Sequence, residues 1–213
     1  MPLAFFDGTL MLSDRYPEKG VPAGSEPKLL ELVNLSHITN VPLIGYIDRS
    51  FARDIVATLD GIENRASTGH TLYDASVLCS GIEGIPGKLG TWGARTVFCY
   101  SKRRGLESFV DQETGRSRVG FVYIQTTSRG GPARLDIPSW IYAEGLLDEV
   151  IDVVRAECVV GLGYPYAIES ADQASVISSA DREKFLRALQ GFAVREKLGF
   201  SVARKAESKA RRR

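Results

Sequence analysis

Two short apolar runs near the amino terminus each stop on an aspartate. Leu3-Ala4-Phe5-Phe6 runs into Asp7, and residues 41–47 (VPLIGYI) run into Asp48. Runs this short, closed by a turn former or an acid, read as buried strands. In open α/β sheets, ligands sit beyond the carboxyl ends of the strands. An acid at that position therefore has a possible chemical role, although Asp7-Gly8 reads equally well as a turn. Two carboxylates brought together repel unless a divalent cation neutralises them. Mg²⁺ and Mn²⁺ prefer oxygen ligands, so paired aspartates suit them. Asp74, in Leu72-Tyr73-Asp74, is a third candidate, with a surface acid on a helix as its alternative. Asp54 reads as a solvated residue on the helix that follows Asp48.

Three more strand-like runs follow, at 95–100, 118–126 and 133–137. Helical patterns cover 27–37, 50–59 (with Ser50 as cap), 71–79, 138–160, 166–176 and 179–198. Strands fill the first two thirds and helices the last. The expected fold is a single α/β domain with a mixed sheet flanked by helices. The domain spans 1–200, and 201–213 is a basic tail expected to be disordered. The last eleven residues carry net +5 and the rest net −4. Arg204, Lys205, Arg211 and Arg212 are the tail's candidate phosphate contacts, against the plainer reading of a solvated terminus.

Several function classes drop out. The glycine-rich stretch Gly81-Ile82-Glu83-Gly84-Ile85-Pro86-Gly87-Lys88-Leu89 fails as a phosphate loop, because its first glycine is misplaced and Leu89 stands where Ser or Thr is needed. Two histidines and three cysteines, none at C-x-x-C spacing, do not make a zinc site. There is no G-x-S-x-G elbow. No run of 18 apolar residues exists, and the amino terminus lacks a basic, apolar leader, so a cytoplasmic protein is expected. A block near residue 165 combines tyrosines and acids: Gly163-Tyr164-Pro165-Tyr166-Ala167-Ile168-Glu169-Ser170-Ala171-Asp172. Its tyrosines could stack on bases or orient a phosphate, or simply pack.

The ordered set of Phe5-Phe6-Asp7-Gly8-Thr9-Leu10, Pro42 to Ser50 (PLIGYIDRS), Leu72-Tyr73-Asp74, Gly120 to Ile124 (GFVYI), Arg134-Leu135-Asp136-Ile137-Pro138 and the Gly163 block resembles the NurA nuclease domain. That resemblance implies an RNase H-like fold with an acidic Mn²⁺ or Mg²⁺ site. It implies single-strand endonuclease or exonuclease action on DNA ends in double-strand break repair. It also implies a homodimer working with a hexameric HerA-type ATPase. By the same resemblance, Asp7 and Asp74 match metal ligands, Asp48 is the candidate intermediate acid, and Tyr164 matches the site tyrosine. The family's histidine, eight residues after that tyrosine, is Asp172 here; an aspartate can bind a hard cation but cannot donate as imidazolium does. The chain begins almost on its first strand, where relatives commonly carry a helical segment, so a short variant and a missing start are both open. The competing reading is a catalytically weakened subunit that binds DNA or the ATPase. Convergence of Asp7, Asp48 and Asp74 within ~5 Å of one point would favour the metal site.

Overall fold

The two acid-terminated runs lie side by side. In the computed structural model, which describes residues 2–12, 24–62, 72–80, 89–103, 105–128, 130–176 and 178–196, β1 (Ala4–Asp7) pairs in parallel with β2 (Leu43–Ile47). Parallel neighbours need a crossover, and α1 (Ser25–Ile38) lies in it. β2 then pairs antiparallel with β5 (Ala133–Pro138). β5 pairs antiparallel with β4 (Val119–Ile124), and β4 with the two-residue β3 (Cys99–Tyr100). The sheet order is β1-β2-β5-β4-β3, a mixed five-stranded sheet flanked by helices, as the sequence leads one to expect. The run at 95–100 pairs only at its end, apart from an isolated bridge between Arg95 and Ile124.

Strand alternation divides the side chains between two faces. Phe5 and Asp7 share one face with Ile44, Tyr46, Leu135 and Val122. This face packs on α4 (Ser139–Ala143) and α5 (Leu147–Val160) through Trp140, Ile141, Val150, Ile151 and Val154. The other face carries Phe6, Gly45, Arg134, Asp136, Phe121 and Tyr123. It is covered by α1, through Leu29 and Val33, and by Ile55, Ala75 and Leu78 from α2 (Asp54–Ile62) and α3 (Asp74–Ser80). β4 and β5 are buried along their whole length, which is why they read as near-continuous apolar runs.

The helix expected over 138–160 is two helices. Gly145, at φ 75°, breaks it between α4 and α5. The helix expected from Ser50 starts at Asp54 instead, because Ser50 Oγ accepts the N–H of Ala52 and the chain stays non-helical to that point. The described residues up to Ser170 belong to one compact unit that holds the whole sheet, and those from Ala171 onward belong to a second. α6 (Tyr166–Ser175) crosses that boundary. α7 (Ser179–Arg195) lies in the second unit, capped by Ser178 Oγ, which accepts the Asp181 N–H.

Gly45 shapes the start of the sheet. A Cβ there would stand 2.7 Å from the Gly8 carbonyl oxygen and 2.9 Å from Leu10 Cγ. The bare backbone lets the chain after Asp7 fold across the sheet face. Gly45→Ala should therefore cost ~1–3 kcal/mol and lower the melting temperature by ~2–12 °C for a chain of this size. A thermal melt followed by circular dichroism checks this; an unchanged melting temperature would mean that the 8–10 segment shifts freely.

Candidate active site

Asp7 closes β1 with its side chain exposed. Its Oδ1 accepts a hydrogen bond of 3.1 Å from the Tyr164 hydroxyl, across 157 positions of sequence. Tyr164 is held in turn. Its ring meets Tyr46 edge-on at 5.1 Å. The Gly163 before it sits at φ 109°, where a Cβ would stand 2.6 Å from Thr127 Cγ2, so only glycine fits this close turn. Tyr46 is almost fully buried, and its hydroxyl faces the Gly163 carbonyl at 3.4 Å. Burial raises the Tyr46 pKa far above its ordinary value, helped by the negative charge of Asp48. Asp48 follows the last residue of β2, beside the end of β1. It is exposed and pairs loosely with Arg49 at 3.9 Å. Asp7, Asp48 and Tyr164 thus border Tyr46 at the carboxyl end of the parallel pair.

Asp74 lies elsewhere. It is fully buried at the start of α3. Its Oδ1 accepts the N–H groups of Ile55 and Val56, both at 3.0 Å, and its Oδ2 accepts the Tyr123 hydroxyl at 3.0 Å. It caps α2 from outside that helix, satisfying donors that the first turn leaves open. Burial pushes its pKa up, only partly offset by those three donors. Tyr123 lies on the sheet face opposite to Tyr46. The expected gathering of Asp7, Asp48 and Asp74 is therefore not found: Asp74 turns to the other face because two helix N–H groups and a phenol claim both its oxygens. Among the described residues no three His, Cys, Asp or Glu side chains form a metal-holding group.

The donor chemistry at the Asp7 end still suits a hard cation. Asp7 and Asp48 are exposed carboxylates on neighbouring strand ends, and Mg²⁺ is often bound by one or two carboxylates completed by water and substrate phosphate. Asp74 does not fit as a direct ligand in this arrangement. Asp172 lies exposed on α6 within the second unit, its carbonyl accepting from Ser175 Oγ. Arg204, Lys205, Arg211 and Arg212 lie outside the described residues.

Sequence reasoning missed the buried charges beneath this site. Arg134 and Asp136 are 1% and 0% exposed. Arg134 Nε donates to Asp136 Oδ1 at 2.8 Å, and its Nη1 donates to Asp54 Oδ2 at 2.6 Å. Asp54, read from sequence as solvated, has its side chain only 10% exposed and also takes a two-pronged bond from Arg103. Burial alone would push Asp54 up, but Arg103 and Arg134 outweigh it and hold its carboxyl below the usual range. Asp136 Oδ2 accepts Thr9 Oγ1 at 2.5 Å and the Leu10 N–H at 3.2 Å, anchoring the chain just past Asp7. The guanidinium of Arg134 lies 4.0 Å over the Phe121 ring. The signal was present: Arg134 and Asp136 stand two apart in an otherwise apolar run, so they share a face and must be paired if buried.

The NurA domain family matches residues 2–177 of the chain. Comparison with curated proteins and with solved structures gave no match.

The pairing of Asp54 has a pH consequence. A carboxyl held below its ordinary value stabilises the fold fully above that value, ~3.9, and the contribution is lost as pH falls through the lower folded value. Asp54→Asn removes the charge that Arg103 and Arg134 share, while Arg134 keeps Asp136, and should cost ~1–3 kcal/mol at neutral pH. Its melting temperature should also fall less than the wild type's on acidification from pH 5 to pH 3. Parallel pH profiles in a series of thermal melts would show that Asp54 is not held low.

Proposed function

The chain belongs to the NurA domain family, a nuclease family linked to DNA end processing, and we propose that it is a metal-dependent deoxyribonuclease whose centre is the Asp7 end of the parallel strand pair. The observation that carries the reading is the 3.1 Å bond from Tyr164 to Asp7. It joins the two motifs that the family resemblance singles out, although they lie at opposite ends of the domain. In this reading Asp7 and Asp48 hold Mn²⁺ or Mg²⁺. The cation, when bound, neutralises charge on the scissile phosphate and lowers the pKa of a bound water.

The protein's own groups set the geometry. The Tyr164 phenol restrains the Asp7 side chain by donating to Oδ1. Tyr46, like any phenol at neutral pH, is protonated and adds no negative charge behind the two acids, and burial only raises its pKa further. Asp136 pins Thr9 and Leu10, and so holds the turn that presents Asp7. Asp74 supports the site at a distance by capping α2. The finer reading follows the family: an RNase H-like fold, single-strand endonuclease and exonuclease action on DNA ends in break repair, a homodimer, and a HerA-type hexameric ATPase as partner. No helix among the described residues is long and apolar enough to cross a membrane.

The second reading, a DNA- or ATPase-binding subunit with weakened catalysis, draws its support from Asp74, whose oxygens are already claimed, and from Asp172 in place of histidine. Cleavage of labelled single- and double-stranded DNA with Mn²⁺, Mg²⁺ or EDTA separates the two. Under the nuclease reading Asp7→Asn lowers metal-dependent cleavage at least ~100-fold, ~2.7 kcal/mol in barrier terms, while its melting temperature stays near wild type because Asp7 is exposed. Tyr164→Phe removes one hydrogen bond to a charged group and should cost ~10-fold. DNA binding without cleavage in any metal would establish the binding subunit instead, and full activity in Asp7→Asn would sink the assignment of the centre.

A further inference from the structure

The chain leaving β2 alternates in and out. Ser50 is buried, its Oγ accepting the Ala52 N–H at 3.2 Å and lying 3.5 Å from the Tyr123 hydroxyl. Its neighbours are thrown outward: the Arg49 side chain is 88% exposed and Phe51 is 71% exposed. Phe51 does not stand alone. The Tyr73 ring meets it at 5.1 Å and 73°. The segments that carry the two rings are tied together, because the Asp74 N–H donates to the Ala52 carbonyl at 2.9 Å and the Arg53 side chain donates through Nε to the Leu72 carbonyl at 2.9 Å. They border a cleft of about 580 Å³ whose wall also includes Asp48, Arg49, Thr127 and Pro132.

We propose that this cleft is a binding site for a single DNA strand, with one base stacked on Phe51 beside Tyr73, Arg49 at a backbone phosphate, and the strand led to Asp48. The proposal rests on the nuclease reading and places its substrate. Exposed rings next to a cation are the recurring means of holding single strands without reading sequence, since every base has a flat π-face. Bases inside a duplex are already stacked on one another and cannot offer that face, so the site selects unpaired ends. Arg49 supplies the positive charge that two nearby acids alone would not. Asp74 acts here as a positioning residue: its backbone and carboxylate hold the 52–56 segment against the 72–74 segment.

The test is fluorescence anisotropy on the full chain in EDTA, so that binding is read without cleavage. The probes are an oligothymidylate and the same strand with abasic sites in place of its bases. Phe51→Ala should weaken oligothymidylate binding about tenfold or more, as loss of one stacked base does, and Phe51→Trp should retain it. On the abasic strand all three proteins should bind alike. Arg49→Ala should flatten the dependence of log affinity on log salt by ~0.7, the value for one phosphate on a single strand. Equal affinity of wild type and Phe51→Ala for oligothymidylate would overturn the proposal. So would an equal loss on the abasic strand, which is what a merely structural role predicts. Mn²⁺-dependent cleavage of the same oligothymidylate is measured alongside: cleavage with no Phe51 effect discards the stacking site and leaves the nuclease reading, whereas neither binding nor cleavage by wild type discards both.

Discussion

The ion-pair link from Asp54 through buried Arg134 to buried Asp136 ties together three parts of the chain that have little else in common. Arg134 and Asp136 sit on β5, Asp54 opens α2, and Asp136 reaches Thr9 and Leu10 just beyond β1. A lone guanidinium in that position would be prohibitively costly, and so would either carboxylate. The three are tolerable only together, with Phe121 beneath the guanidinium and Arg103 beside Asp54. Such a link adds little net stability over well-packed apolar residues. Its value lies in geometry: it allows one placement of the chain past Asp7 and one docking of α2 on the sheet.

The two acids at the strand ends and the two beneath them are handled in opposite ways. Asp7 and Asp48 keep access to solvent and remain available to a ligand. Asp54 and Asp136 are saturated with internal donors. Asp74 belongs with the second pair, because its carboxylate is buried and accepts from two helix N–H groups and from the Tyr123 hydroxyl. A strand-end acid and a helix-capping acid look alike in sequence, but their environments give them different work.

The mixed sheet, its flanking helices and most strand positions were legible in the sequence, because fully buried strands write continuous apolar runs such as GFVYI. The pairing of Asp7 with Tyr164 was legible only through the ordered motifs of a known family. Nothing local in either segment points to the other. Asp54 was misread because its neighbours follow an ordinary amphipathic pattern, and the arginines that pair with it come from positions 103 and 134. Asp74 was misplaced for a related reason: a cap supplied from outside a helix leaves no mark in that helix's own sequence. The break at Gly145 was overridden by the apolar periodicity on either side of it.

The reach of Tyr164 across 157 positions also bears on biosynthesis. A ribosome makes Asp7 first and the tyrosine that orients it near the end of the sheet-bearing unit. Until residues 161–166 have emerged and the Gly163 turn has closed on Thr127, the acid has no partner to fix it. An amino-terminal fragment, whether nascent or clipped, carries the carboxylates without the organised centre.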